Sequence, residues 1–227
     1  MKWASLCLLA YKRPQMLKDC LDSLVATADY PYELIVNEDT DSSGVSEILF
    51  DYYKRGIISK LVMTGGNNRG VGRSFANCVG MVEGQYVFKI DTDLVFKDRW
   101  LSESVRVLEN HPEVGVVSPF NYRSWDPSDT RFNILEEKED CRIVDDLVSS
   151  VYGFRRGYLE ISGWQEDDGF HQKLCENYQL KMALTKEDLV TNQGFGVHRS
   201  TYVSGTEEAP FKTPTHNEPL IFKKGQI

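Results

Sequence analysis

The sequence predicts an α/β fold with a mainly parallel central sheet flanked by helices, and three observations predict it. Short apolar runs alternate with segments of helical period through residues 1–120. The apolar runs end, one after another, in polar or charged residues, as strands do when their carboxyl ends meet at one edge of an open sheet. With 227 residues and 41% hydrophobic composition, the chain is long enough to bury one sizeable core.

The elements follow in order. Strands are expected at Trp3–Leu9, Glu33–Asn37, Ile58–Thr64, Tyr86–Ile90 and Val114–Ser118. Between the first two, Pro14 suits a first helical turn and Leu17, Leu21, Leu24 and Val25 recur on one face. Val45, Ile48, Leu49, Tyr52 and Tyr53 do the same before Gly56, and Val71, Phe75, Cys78, Val79 and Val82 before Gly84. Trp100, Leu101, Val105 and Leu108 make a fourth face that ends near Pro112. Beyond Asn121 the character changes. Residues 121–142 are polar, acidic and aromatic without a period, and a loop of that length is either functional or mobile; Tyr122, Trp125 and Phe132 make it a candidate lid. Ile143–Phe154 reads as one strand, Glu166–Tyr178 as a helix and Leu180–Leu184 as a short strand, before an irregular, proline-containing tail over 205–227. Residues 1–204 are therefore expected to form a single domain, with a ligand-binding half to residue 120 and a second half over 121–204.

Net charge of −8 predicts no attraction to a polyanion such as nucleic acid or to an anionic membrane surface, and leaves a local basic groove open. Five widely spaced cysteines, an odd number without a C-x-x-C pair, read as reduced core thiols. No apolar run approaches the roughly 20 residues that span a bilayer. The opening "WASLCLLA" reads as a buried strand, not a cleaved leader, so a cytoplasmic location is expected.

The residues that carry chemistry lie at the strand ends: "AYKRP" (Ala10–Pro14), "EDTD" (Glu38–Asp41), "GGNNRGVGR" (Gly65–Arg73) and "DTD" (Asp91–Asp93). Carboxylates gathered at one edge repel one another unless a cation or hydrogen-bonding ligand compensates. A hard divalent ion such as Mg or Mn suits oxygen donors completed by phosphate. The D-x-D pair taken alone reads first as a solvated strand end, and the glycine stretch, lacking a P-loop Lys-Ser/Thr, first as a turn into a helix. In "SGWQEDDGFHQKL", Glu166, Asp167 and Asp168 either open a helix, where acidic side chains are favoured, or supply a general base beside an apolar wall from Trp164. His198, in "GFGVHRS", is a candidate nitrogen ligand for a mixed metal site or a structural histidine. His171 and His216 are weaker candidates, and His111 marks a helix end.

Taken together, the parts resemble glycosyltransferases of the GT-A fold, of the family-two type. "LLAYKRPQMLKDCLDSL" is similar to that family's opening strand, turn and first helix, "YELIVNEDTD" to its "EIIVVDDGS", and "NRGVGRSFANCVGMVEGQYVFKIDTD" to its glycine loop, helix and D-x-D strand. "SGWQEDDGFHQKL" is similar to the tryptophan and acidic helix start of beta-galactosyltransferases. The resemblance covers residues 3–200 and implies a metal-dependent, inverting transfer from a nucleotide-diphosphate sugar, with UDP the expected nucleotide. It assigns Asp39 to the base, Ala10, Tyr11 and Arg13 to the nucleotide pocket, and Asp91 to ribose or the metal's shell. It makes Asp93 a ligand of Mn or Mg, His198 a further ligand, and Asp167 the general base. Arg73 would join the donor side, and Trp164, Glu166 and Asp168 the acceptor side. Glu38, Lys12 and Gly169 depart from the family pattern, so the sugar and acceptor preferences of the galactosyltransferases do not carry over. Acceptor classes include a glycan or lipid-linked sugar, a protein, a small molecule and a modified DNA base. The rivals are a non-catalytic nucleotide- or sugar-binding relative and a sugar-phosphate nucleotidyltransferase.

Overall fold

The computed structural model of the protein describes residues 2–39, 43–65, 70–121, 132–147, 150–162, 170–193 and 220–223. The first four apolar runs form β1 (Ala4–Ala10), β2 (Tyr32–Glu38), β3 (Lys60–Met63) and β4 (Tyr86–Asp91), all mutually parallel. β1 lies between β2 and β4 and is buried along its whole length. That is why it reads as an unbroken apolar run and not as an alternation.

The helices between them are α1 (Pro14–Thr27), α2 (Ser43–Lys54), α3 (Val71–Val79) and α4 (Trp100–Asn110). Pro14 occupies the first turn of α1, where its missing N–H costs nothing. The buried seam of α1 is Leu17, Cys20, Leu21 and Leu24; Val25 falls outside it and is exposed, as is Val71 in the first turn of α3. All five cysteines are free and buried, as expected of core thiols.

After β5 (Leu94–Phe96) and β6 (Val114–Ser118), the stretch Ile143–Phe154 breaks in two where a single strand is expected. β7 (Ile134–Glu137) and β8 (Cys141–Val144) form a hairpin, and β9 (Val151–Arg155) is inserted between β4 and β6. The break falls at Asp145 and Asp146, whose carboxylates bind backbone N–H groups. Asp145 accepts from the Asn133 N–H at 2.5 Å and Asp146 from the Leu147 N–H at 2.7 Å. Part of the region expected to be loop is thus strand. β7 shows no apolar period because it is exposed throughout and held by ion pairs, Lys181 to Glu136 at 3.0 Å and Lys186 to Glu137 at 2.5 Å. The candidate lid residues Tyr122 and Trp125 lie outside the described residues; Phe132 is buried.

The chain continues through α5 (Gly157–Ser162), α6 (Phe170–Tyr178), β10 (Lys181–Thr185), β11 (Val190–Asn192) and β12 (Leu220–Lys223). Among the described residues the main sheet runs β12-β3-β2-β1-β4-β9-β6-β10-β8-β7, and β5 pairs separately with β11. β12 falls in the tail expected to be irregular, and lies antiparallel to β3.

Register divides the sheet's faces. Cys7, Ile35, Lys89 and Tyr152 form one cross-strand row, and Leu9, Asn37 and Asp91 the next. α3 and α6 cover this face: Phe75 meets Tyr152 and Phe154 edge-on, and Phe170 and His171 pack on the same two rings. Trp100 of α4 covers the other, 5.8 Å from Phe88 and 4.4 Å from Phe96 between ring centres. Phe88 pairs with Gly153, where an added Cβ would come within 2.2 Å of the Phe88 ring. Gly153→Ala is therefore expected to lower stability by on the order of 3 kcal/mol through overpacking. Urea unfolding reads this directly; an unmoved midpoint would mean that the ring can step aside.

Candidate active site

Four parallel strands of one sheet bring their carboxyl ends to one edge, and the site is built there. Ala10, the last residue of β1, is buried, and its carbonyl accepts the Asp39 N–H at 2.9 Å. Asp39 is buried as well. Its carboxylate accepts from the Thr64 hydroxyl, just past β3, at 2.6 Å and from the Ser74 hydroxyl of α3 at 2.9 Å. Two hydroxyl donors orient the Asp39 carboxylate. One residue row back, Asn37 accepts from Asn77 of α3 at 2.9 Å, which fixes the helix against the strand. Arg73 is half-buried in the first turn of α3, beside Ser74.

Between β1 and α1 the chain makes an uncommon turn. Lys12 and Arg13 have φ of 56° and 53°, a left-handed conformation that disfavours side chains with a Cβ. Two such residues in succession store strain, which persists where neighbours over-determine the backbone and which clusters at ligand clamps. The turn leaves Tyr11 half-buried beneath the Lys12 ammonium, 5.4 Å from the ring centre, and places the Arg13 guanidinium 3.6 Å from Asp93.

Asp91 ends β4, two strand spacings from β2 and so roughly 10 Å from it. Asp93 lies in the turn to β5, only 9% exposed, with the Asn192 amide 3.4 Å from Oδ1. The Gln193 N–H donates to the Asp93 carbonyl at 2.7 Å. Asp91 faces Lys89, whose Nζ is 2.5 Å from Oδ1. Asp91 and Asp93 are carboxylate oxygen donors, the kind that a hard divalent ion takes.

The predicted donor-side residues Ala10, Tyr11, Arg13, Asp39, Arg73, Asp91 and Asp93 thus stand at or just beyond the ends of adjoining elements. Trp164, Glu166, Asp167, Asp168, His198 and His216 lie outside the described residues. His171 is buried on Tyr152, its Nε2 3.7 Å from Asp146, and burial pulls its pKa below the usual imidazole value. His111 does end α4, as expected, and its ring lies 2.7 Å from Asp140, with Cys141 close by. Asn110 already engages that group through Asp140, and among the described residues no hydrogen bond joins it to the strand-end residues. Sequence reasoning missed Thr64, Ser74, Asn192 and Lys89. Of these only Lys89 left a signal, a lysine inside an apolar run two residues before Asp91.

A model of the family described as glycosyl transferase family 2 matches residues 5–171. Among solved structures, S. aureus TarS 1-349 superposes with a TM-score of 0.60 at 16% identity, covering 84% of this chain and 60% of that one. The same protein in complex with UDP-GlcNAc gives 0.61 at 15%, covering 84% and 58%. The mannosyltransferase PcManGT from Pyrobaculum calidifontis, in complex with GDP-Man and Mn2+, gives 0.62 at 18%, covering 82% and 55%. At these identities the likeness shows a shared GT-A fold, and the chain spans less than two thirds of either protein's matched length. No curated protein matches the chain by sequence. Among the described residues, no helix is long and apolar enough to cross a membrane.

Proposed function

This chain belongs to glycosyl transferase family 2, and from that premise we propose that it moves a sugar, with inversion, from a nucleotide-diphosphate donor to an acceptor hydroxyl. The observation that carries the proposal is the pair of held carboxylates at one sheet edge. Asp39 is oriented by Thr64 and Ser74, and Asp91 stands two strands away, a spacing that suits a base at one and its ribose at the other. A fixed carboxylate takes an N–H, which uracil offers at N3 and guanine at N1, whereas cytosine has none at N3. We assign UDP as the expected nucleotide, with Tyr11 and Ala10 lining its pocket and Arg13 and Arg73 toward its phosphates.

Asp93, with His198, would hold Mn or Mg, which when bound stabilises the charge developing on the departing diphosphate. Asp167 would take the proton of the acceptor hydroxyl as it attacks the anomeric carbon from the opposite side. Glu166, Asp168 and Trp164 would form the acceptor's side of the cleft. No covalent enzyme intermediate is needed in a single displacement.

Thermal denaturation with UDP, GDP, CDP and ADP, each with and without Mn2+, tests the assignment. UDP with Mn2+ is expected to raise the midpoint by several degrees and CDP to raise it little, because ligand binding to the folded state shifts stability by mass action. Equal shifts with all four nucleotides would overturn the role of Asp39. Release of free UDP from a UDP-sugar then separates an enzyme from a non-catalytic relative.

A further inference from the structure

A second group of metal-ligand side chains lies where α4 meets the β7–β8 hairpin, apart from the residues of the proposed donor pocket. His111 follows the last turn of α4, and Asp140 and Cys141 stand where the hairpin enters β8. One donor atom from each lies within 4.8 Å of the others, and among the described residues no other three such side chains converge this closely. Each is already aimed. The His111 Nε2 is 2.7 Å from Asp140 Oδ1, while Asn110 Nδ2 donates to Oδ2 of the same carboxylate at 3.0 Å. Nδ1, on the other side of the ring, faces Glu113 Oε1 at 3.6 Å, and the Lys138 ammonium holds that carboxylate at 3.1 Å. One ring nitrogen toward a donor cluster and the other toward a carboxylate is the arrangement that fixes the tautomer of a metal-bound imidazole. The Cys141 thiol is buried beside them. The backbone under the ligands is fixed as well: His111 N–H donates to Val107, Lys138 N–H to Cys141 at 2.9 Å and Lys186 N–H to Asp140 at 3.2 Å.

We propose that His111, Asp140 and Cys141 form a site for Zn2+ or a similar borderline divalent ion, with Glu113 orienting His111 and solvent in the fourth position. The donor set decides the metal. One nitrogen, one oxygen and one sulfur suit Zn2+, whereas the carboxylates of the D-x-D turn suit Mg2+ or Mn2+. A tetrahedral ion with bonds of about 2.0–2.3 Å holds its ligand atoms roughly 3.3–3.7 Å apart, a spacing these donors reach by small side-chain rotations. The ring binds as the Nδ1–H tautomer, with that proton directed at Glu113, and the thiol releases its proton to solvent as the sulfur–metal bond forms. The ion's task is structural. β7 is exposed throughout and held by surface ion pairs, which contribute little each, so a link from β8 to the end of α4 ties this edge of the sheet to the core. The site stands independently of the sugar-transfer reading.

Co2+ added to the metal-free full chain tests it, because a thiolate–cobalt bond gives a charge-transfer absorption that carboxylate and imidazole ligands do not. The unaltered protein is expected to develop the band at about one Co2+ per chain and to lose it when Zn2+ is added. Zn2+ is also expected to raise the thermal midpoint with no nucleotide present. Cys141→Ser is expected to abolish the band, and Glu113→Gln to weaken Co2+ binding about tenfold, as loss of an orienting carboxylate does. Both variants should keep whatever stabilisation UDP with Mn2+ gives the unaltered chain, so that arm reads the donor site alone. If Cys141→Ser fails to fold, His111→Gln decides, with binding weakened by about tenfold or more. No band in the unaltered protein, a band that survives in folded Cys141→Ser, or unchanged affinity in His111→Gln would overturn the site. Unchanged affinity in Glu113→Gln would overturn the part given to Glu113.

Discussion

Asp93→Asn is expected to lower the rate of sugar transfer by about 10²–10³-fold, the size of effect that follows loss of a group stabilising charge in the transition state. Asn keeps the shape of Asp and can still meet the Asn192 amide, which stands 3.4 Å from Oδ1 in the native chain. What it removes is the charge, which the divalent ion needs and which Arg13 faces at 3.6 Å. Folding should be little affected, because Asn keeps the volume of Asp and the backbone bond to Gln193 does not involve the side chain. The check is kcat/KM for the donor across a Mn2+ titration, with the thermal midpoint as control. Undiminished transfer would remove Asp93 from the metal site.

Asp167→Asn is expected to cost about 10²–10⁴-fold in kcat, the usual contribution of a positioned general base, while donor binding is unchanged. The separation follows from topology. The donor-side residues come from β1, β2 and β4, the turns after them and the first turn of α3, whereas Asp167 precedes α6 on a different part of the chain. Turnover and nucleotide-sugar affinity should be measured on the same preparation. Full turnover would reassign the base, and Glu166 and Asp168 are the neighbours to test next.

The first half of the fold was legible because burial and period agree there. β1 to β4 and β6 are mainly apolar runs, and the buried seam of α1 repeats at three and four residues. The second half was less so, for identifiable reasons. β7 is exposed on both faces and stabilised by ion pairs, so it carries no apolar period, and β5 and β11 are three residues each. The break between β8 and β9 depends on Asp145 and Asp146 finding backbone partners, one of them at Asn133, which no local pattern announces. In the site, Asp39 and the D-x-D pair could be found as charges at strand ends. Thr64 and Ser74 could not, since ordinary hydroxyl residues acquire their meaning only when α3 and β3 converge on Asp39. Lys89 was passed over because a single lysine in "YVFKID" does not say which way it points until β4 has neighbours on both sides.

The pairing of β12 with β3 bears on how the protein is made. Residues 220–223 join residues 60–63, so this ladder closes one of the longest loops in the molecule. Such contacts form slowly, because the loop's entropy is lost before the ladder repays it. During synthesis β3 therefore waits with its outer hydrogen-bonding groups unsatisfied until residues 220–223 emerge, an open edge onto which a strand of another molecule could add. The interval between the emergence of β3 and that of β12 is thus when the nascent chain is most exposed to mispairing, and the stage at which a chaperone would matter most.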